Sequence, residues 1–207
     1  MTSNSTRKLI IGLHGVGSNG ANLAPLGSFL RQSTPDMDFE SPDAPFSFGN
    51  GPGRQWFSID GVTEANRPQR VVEARAAFDQ VLGDIIARHA LTSNLDRVAL
   101  VGFSQGSIMA LDAVASGRWP VAAVVAFSGR LASPEPYAPS ETTRLSLIHG
   151  TADHVMPFAE SEKAKAALAK AGVSAELHTL PGVGHTISQD GAVIAANFLL
   201  TAFGARA

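Results

Sequence analysis

Short apolar runs rich in β-branched residues recur along the chain and are separated by longer amphipathic segments. Several of these runs are apolar throughout, which is typical of strands that helices cover on both faces of a sheet. The pattern predicts strands at residues 8–13, 37–41, 97–103, 121–127, 144–149 and 174–180.

The amphipathic segments carry apolar residues at helical spacing. In the longest of them, residues 68–90, Val71 and Phe78 belong to one apolar face. Pro68 suits the first turn of this helix because its missing N–H is not needed there. Further helices are predicted at residues 21–32, 104–116, 158–170 and 189–203.

Strands that alternate with helices predict an α/β fold, with an open, mostly parallel central sheet and helices on both faces. A chain of 207 residues fits one such domain, spanning residues 1–207. Two segments rich in proline, 41–61 and 130–143, interrupt the alternation. Long loops at the carboxyl ends of strands usually shape the ligand site. The chain has no spare residues for a large lid.

The composition narrows the chemistry. The chain has no cysteine, which excludes disulfides, thiolate zinc sites and a cysteine nucleophile. Its 16 Lys and Arg residues nearly balance 18 Asp and Glu residues, so nucleic acid is not an expected partner. The apolar segment 9–13 is too short for a signal peptide, and no run reaches the ~20 residues of a membrane span. We therefore expect a cytoplasmic protein. An exposed apolar rim could pair two copies, which leaves a homodimer open.

One candidate nucleophile lies in the segment GFSQG at residues 102–106, a G-x-S-x-G pattern. The pattern alone is a weak signal, but here a predicted buried strand precedes it and a predicted helix follows it. The glycines allow a tight strand-to-helix turn that exposes the hydroxyl of Ser104 at the edge of the sheet. An ordinary glycine-rich turn is the competing interpretation.

A serine hydroxyl needs a base, and the base needs a carboxylate to orient it. In α/β-hydrolases the chain order is Ser, then Asp or Glu, then His. Asp153 lies in a loop directly after a predicted strand, and His185 lies in a flexible turn between the last strand and the last helix. These residues and Ser104 would meet at one end of a parallel sheet. His154 is the alternative base.

His149, Asp153 and His154 are close enough in sequence to suggest a metal site. However, no helical H-x-x-x-H pair is present and no thiolate is available. We therefore expect structural roles for the two histidines, with His149 packed at the end of a strand.

The loop after the first strand supports two interpretations. Gly15, Gly17 and Gly20 match the G-x-G-x-x-G fingerprint of dinucleotide-binding proteins, and Glu40 follows at a suitable distance. That pattern predicts an NAD(P)-binding oxidoreductase. The same glycines could instead turn a backbone N–H toward a tetrahedral intermediate. Pro25 interrupts the following helix and favours this second interpretation. A hydrolase fold that only binds its ligand is a further alternative.

Six short motifs follow one another along nearly the whole chain. They are LHGVG at 13–17, PDAP at 42–45, WFS at 56–58, GFSQGS at 102–107, HGTADHVMP at 149–157 and GVGH at 182–185. In this order they resemble the phospholipase/carboxylesterase family of α/β-hydrolases, which includes acyl-protein thioesterases. The chain departs from the family pattern at Ser107, where a glycine is usual, and at Ser58, where an acid is usual.

This resemblance implies a serine hydrolase in which Ser104 is the nucleophile, Asp153 the orienting acid and His185 the base. It also implies that the backbone N–H groups of Val16 and Gln105 bind the oxyanion. The reaction would cleave a carboxylic ester through an acyl-enzyme, with thioesters and lysophospholipids as alternative substrates. Neither a metal nor a cofactor is implied.

Four residues near these motifs are candidates for substrate binding. Trp56 and Phe57 could line an acyl or alcohol pocket, although burial in the core is an equally good interpretation of an aromatic pair. Val155 and Met156, directly after Asp153, are similar candidates.

Overall fold

Residues 7–204 are described by the computed structural model, and within them lie eight strands and five α-helices. The strands are β1 (Lys8–Leu13), β2 (Met37–Glu40), β3 (Phe46–Ser47), β4 (Arg54–Gln55), β5 (Val98–Phe103), β6 (Ala123–Phe127), β7 (Arg144–Gly150) and β8 (Ala175–Leu180). The helices are α1 (Ala24–Ser33), α2 (Arg67–Arg88), α3 (Gln105–Ala115), α4 (Ala159–Lys170) and α5 (Gln189–Gly204). Every strand and helix that the sequence predicts is confirmed, with small differences at the ends.

A parallel sheet forms the centre of the described chain, with its strands in the order β2-β1-β5-β6-β7-β8. The register pairs Leu13 with Gly102 and Gly150 with Leu180, so β1, β5, β7 and β8 end along one edge. Ligands of open parallel sheets bind at the carboxyl ends of the strands. The loops that carry the candidate chemistry therefore all leave the sheet at the edge where a ligand is expected.

Side chains alternate between two apolar cores on opposite faces of the sheet. In β1, Leu9 and Ile11 belong to the core under α2, α3 and α4, whereas Ile10 belongs to the core under α1 and α5. All three side chains are fully buried. The α/β fold with helices on both faces is thus confirmed. None of the helices in residues 7–204 is long and apolar enough to cross a membrane.

The proline-rich segment 41–61 holds a short antiparallel hairpin, β3–β4, in which Phe46 pairs with Gln55. Arg54 fixes this hairpin, since its guanidinium donates to the carbonyl oxygens of Ala44 at 2.9 Å and Pro45 at 3.2 Å. Strands of two residues show no period, so the pattern of apolar residues gives no sign of them.

The chain enters α1 through a 3₁₀ turn at Gly20–Leu23, which the side chain of Asn19 caps by accepting the N–H of Asn22 at 3.2 Å. The α-helix begins only at Ala24, with Pro25 in its first turn. Because proline cannot donate to the preceding turn, the 3₁₀ segment and α1 are separate elements.

Candidate active site

Ser104 occupies the sharp turn between β5 and α3. Its backbone has φ 54° and ψ −114°, in the region that L-residues rarely adopt, and its N–H donates to the carbonyl of Phe127 at 3.0 Å. A Cβ at Gly102 would overlap the backbone of Ser107, and a Cβ at Gly106 would overlap the carbonyl oxygen of Leu13. The two glycines of the motif are therefore required by close packing, and the strained turn holds Ser104 at the edge of the sheet.

A chain of hydrogen bonds joins three loops at this edge. Ser104 Oγ lies 3.0 Å from His185 Nε2, and His185 Nδ1 lies 2.7 Å from Asp153 Oδ2. The ring of Phe103 packs against the imidazole with 4.8 Å between the ring centroids. The three residues that chain order selects thus come together after β5, β7 and β8, with the spacing of a nucleophile, a base and an orienting acid.

Asp153 is buried and is supplied with donors on both oxygens. Oδ1 accepts the backbone N–H groups of Val155 at 3.0 Å and Met156 at 2.8 Å, while Oδ2 accepts His185. Burial raises the pKa of this carboxyl. The N–H of Met156, His185 and the side chain of Ser128 outweigh that effect, and together they hold its pKa below the usual value. The carboxylate is thus ionised at neutral pH and free to orient the imidazole.

The other histidines nearby form no hydrogen bond with Ser104 within residues 7–204. His149 is buried at the end of β7, where Nδ1 lies 2.6 Å from Ser161 Oγ and Nε2 lies 2.8 Å from the carbonyl of Met156. Its packing at a strand end is confirmed. His154 is exposed beside Asp153. Over the described range 7–204, no three His, Asp or Glu side chains are grouped so that they could hold a metal ion.

The glycine loop after β1 lies against the nucleophile turn. A Cβ at Gly15 would come within 3.3 Å of Ser104 Cβ, so the backbone approaches Ser104 closely. The N–H groups of Val16 and Gln105 donate no hydrogen bond to another residue between positions 7 and 204. Two backbone donors next to one nucleophile can bind a developing oxyanion.

Two residues that the sequence did not single out shape this loop. His14 is fully buried, with Nδ1–H donating to the carbonyl of Gly15 at 2.7 Å and Nε2 accepting the N–H of Ala44 at 3.0 Å. Burial lowers the pKa of His14, so the ring is neutral. Arg54 pairs its backbone with the same loop, donating to the carbonyl of Ser18 at 2.7 Å. The signal for His14 in the sequence is its place directly before Gly15.

The side chain of Gln105 has a separate structural task. Its Oε1 accepts the N–H of Trp56 at 2.8 Å, and its Nε2 donates to the carbonyl of Phe57 at 2.8 Å. Trp56 also donates its indole N–H to the carbonyl of His14 at 2.9 Å. The aromatic segment is therefore tied to both loops that carry the candidate oxyanion donors.

The sequence offers Trp56 and Phe57 as the lining of an acyl or alcohol pocket, but neither of them borders the cavity at Ser104. Trp56 has no exposed surface, and Phe57 is 5% exposed. Phe57 borders a separate cavity of about 360 Å³ with Phe46 and Ser58, and neither Ser104 nor His185 lines it. Both aromatic residues pack in the apolar core because the clamp from Gln105 holds their backbone inward.

Val155 and Met156 differ in how far they are buried. Val155 is 69% exposed and lines a cavity of about 680 Å³ that opens onto Ser104 and His185. Met156 is buried in the core, and its sulfur accepts the Nε–H of Arg130 at 3.1 Å. Of the four candidate substrate contacts, only Val155 borders the cavity at Ser104.

The two departures from the family pattern do not disturb the site. The hydroxyl of Ser107 is buried and donates to the carbonyl of Phe127 at 2.7 Å. The hydroxyl of Ser58 accepts the N–H of Asp60 at 3.2 Å, away from Ser104. Each hydroxyl has a local partner, so neither competes with the hydrogen bond between Ser104 and His185.

Comparison with known proteins identifies the family. The family model described as Phospholipase/Carboxylesterase matches residues 2–203. The chain is 35% identical to Esterase YpfH of Escherichia coli over 181 residues, which cover 87% of this chain and 77% of the relative. It is 27% identical to Acyl-protein thioesterase 1 of Debaryomyces hansenii, with 96% of this chain and 92% of the relative covered.

Solved structures agree with the sequence matches. Esterase PE8 superposes with a TM-score of 0.81 at 37% identity, covering 93% of this chain and 91% of that one. SOBER1 of Arabidopsis thaliana gives a TM-score of 0.76 at 26% identity, covering 95% of this chain and 99% of that one.

These matches decide between the interpretations of the glycine loop. The carboxylate of Glu40, which a dinucleotide-binding fold would use for the ribose, is paired with Arg88 and with Nε2 of His89. An NAD(P)-binding oxidoreductase and a fold used only for binding are both wrong. The chain belongs to the phospholipase/carboxylesterase family of serine hydrolases, and it is a carboxylic ester hydrolase.

Proposed function

We propose that this hydrolase cleaves carboxylic esters through an acyl-enzyme formed on Ser104, with His185 as base and Asp153 as the acid that orients it. The observation that carries the proposal is the continuous chain of hydrogen bonds from Ser104 Oγ to His185 Nε2 (3.0 Å) and from His185 Nδ1 to Asp153 Oδ2 (2.7 Å). A relative named an acyl-protein thioesterase supports thioesters as a second substrate class.

In the first half of the reaction, Ser104 Oγ attacks the carbonyl carbon of the ester while His185 Nε2 takes the hydroxyl proton. The carbonyl oxygen becomes an oxyanion and accepts the N–H groups of Val16 and Gln105. Gln105 is the first residue of α3, so the helix dipole also favours negative charge there. The C–O bond to the alcohol breaks, and His185 donates its proton to the leaving oxygen.

In the second half, water replaces the alcohol. His185 removes a proton from the water as its oxygen attacks the acyl carbon, and the same two N–H groups hold the oxyanion. When the bond to Ser104 breaks, the proton returns to Oγ and the carboxylic acid leaves. Throughout, Asp153 accepts the Nδ1–H of His185 and stabilises the imidazolium that forms in each half.

Replacement of the nucleophile tests this proposal. Ser104→Ala should lower kcat/KM for a small ester such as p-nitrophenyl acetate by about 10⁴-fold or more, as removals of triad residues do. It should also abolish covalent labelling by a fluorophosphonate. Ser107→Ala is the matched control, because its hydroxyl belongs to the same motif but bonds the carbonyl of Phe127. Near-normal hydrolysis by Ser104→Ala would sink the assignment.

We take residues 1–207 as one α/β-hydrolase domain, supported by two cores that share one sheet. A cytoplasmic location and a homodimer remain predictions. Thioesters and lysophospholipids remain the alternative substrates. Values of kcat/KM for an oxygen ester, a thioester and a lysophospholipid with the same acyl group would rank the three classes.

A further inference from the structure

The cavity at Ser104 lies between α1 and the segment that joins β8 to α5. Its volume of about 680 Å³ is in the range of small-molecule sites. Ser104 and His185 border it on one side, and Val155 lies at its rim. The remaining walls are mostly apolar, with Leu26, Phe29 and Ile187 among them, but five hydroxyl or amide side chains also line the cavity. A group attached to the ester carbonyl would enter an apolar space.

Charge is absent from these walls. No Asp, Glu, Lys or Arg side chain from positions 7–204 lines the cavity, and apart from His14 and His185 its polar side chains are hydroxyls and amides. His14 is neutral, and both of its ring nitrogens already have backbone partners. A charged group that entered would lose its hydration without gaining a counter-ion.

The second cavity, beside Phe57, offers a contrast. It is about half the size, is bordered by Arg70 and Glu73, and does not touch Ser104 or His185. An ester carbonyl held at Ser104 therefore has the uncharged cavity, and not the charged one, directly beside it. A substitution at the second cavity can therefore serve as a control for substitutions at the cavity beside Ser104.

We propose that the α1–α5 cavity is the subsite for an uncharged hydrocarbon group of the ester, and that Phe29 and Ile187 set the length of group that it takes. This proposal rests on the proposed function, because it needs the carbonyl at Ser104. Phe29 projects from α1 and Ile187 from the segment before α5, and both are only partly buried. Their exposed parts are the surface that a hydrocarbon group would cover.

The first test uses the native enzyme. Two ester series are compared, one with a growing acyl chain on a fixed alcohol and one with a growing alcohol on a fixed acetate. In one series, kcat/KM should rise about fourfold per methylene until the cavity is filled. The series that responds identifies whether the acyl or the alcohol part occupies the subsite. A flat profile in both series would overturn the proposal.

A charge at the end of the chain gives a second arm. A hexanoate ester is compared with the adipate monoester of the same alcohol, which ends in a carboxylate, and the alcohol series has a matching pair. In the series that responds to length, the charged member should be hydrolysed roughly 100-fold less efficiently, since the cavity has no counter-ion. Equal rates for the two members would overturn the proposal.

Variants then locate the subsite. Ile187→Trp should lower the ratio of kcat/KM for the long ester to that for the short one by about tenfold, because the indole fills space that methylenes would occupy. Phe29→Ala should move the preferred length upward. Phe46→Ala, at the second cavity, is the control and should leave the ratio unchanged. A change in the ratio with Phe46→Ala and none with the other two variants would contradict the assignment.

The outcome for the subsite is separate from that for the triad. Fluorophosphonate labelling and acetate hydrolysis, both lost in Ser104→Ala, report on the triad alone. If they succeed and the length profile is flat, the subsite is wrong and the triad stands. If Ile187→Trp does not fold, the native series, the charged esters and Phe29→Ala still decide the question.

Discussion

Two aspartates in this protein have fully buried side chains, and their surroundings are opposite in kind. Asp112 on α3 accepts two hydrogen bonds from Arg75 and one from Arg118, at 2.7–3.0 Å. Asp153 accepts backbone N–H groups and the ring of His185. In the described chain, residues 7–204, no Lys or Arg forms an ion pair with Asp153. One carboxylate is balanced by permanent cations, and the other by neutral donors and two imidazole rings, His185 and His149, whose Nε2 lies 3.4 Å from Asp153 Oδ2.

Both carboxyls have a lowered pKa, for different reasons. At Asp112 burial raises the pKa, but Arg75, Ser133 and Arg118 more than offset it. At Asp153 burial also raises the pKa, and the backbone N–H of Met156, His185 and Ser128 together lower it by more. Asp112 therefore joins α2 to α3 through fixed charges. Asp153 keeps its negative charge available for a proton that arrives on His185 during the proposed reaction.

The largest expected effect comes from neutralising Asp153. Asp153→Asn keeps the volume and the acceptor for Val155 and Met156, but its amide cannot hold the imidazole in the required tautomer. We expect kcat to fall about 10⁴-fold, as in serine hydrolases with this change, while the melting temperature changes little. Steady-state kinetics and thermal unfolding measure the two quantities. A loss in kcat below tenfold would remove Asp153 from the mechanism.

The same substitution at Asp112 should have the reverse profile. Asp112→Asn removes the carboxylate that pairs with Arg75, while Arg118 loses one of two partners and keeps its ion pair with Asp79. We expect the free energy of unfolding to fall by about 3 kcal/mol, the low end for breaking a buried ion pair, because both guanidinium groups keep some contact with water. Urea unfolding measures this loss. The folded variant should keep its kcat; a large loss of kcat would mean that the two aspartates are coupled.

The sequence predicts the site of Asp153 far better than the site of Asp112. Ser104, Asp153 and His185 each follow a predicted strand, and parallel strands bring their ends to one edge, so chain order and fold class locate them. Asp112 lies inside a predicted helix, and its partner Arg75 lies on another helix. Which faces of two helices meet depends on tertiary packing, which periodicity alone does not determine.

The errors around the site have the same physical origin. From the sequence, Trp56 and Phe57 are equally compatible with a pocket and with the core, because aromatic residues suit both. The clamp that decides between them comes from the side chain of Gln105, a long-range contact. The sequence does not predict the hairpin β3–β4, because two-residue strands have no period, although its Arg54 fixes the loop that carries Val16.

Lowering the pH should remove the contribution of the Asp112 carboxylate to the stability of the fold. This effect is smaller than those of the two substitutions. Its folded-state pKa lies below that of an unfolded chain, about 3.9. The stabilisation is therefore complete above that value and is lost as pH falls through the folded-state pKa. The difference in melting temperature between the native protein and Asp112→Asn should be constant from pH 7 to about 5 and shrink below about 4.

Circular dichroism melts between pH 3 and 7 measure this difference. Asp153→Asn provides the comparison, because Asp153 also has a lowered pKa. Its smaller stability difference should shrink over the same acid range, while its kcat stays low at every pH. The unfolded chain takes up a proton on this carboxyl below about 3.9, so a difference for Asp112→Asn that is unchanged at pH 3 would mean that the charge of Asp112 does not cause it. The contacts of Asp112 with Arg75 and Arg118 would then stabilise the fold through packing and not through charge, and the contrast with Asp153 would fail.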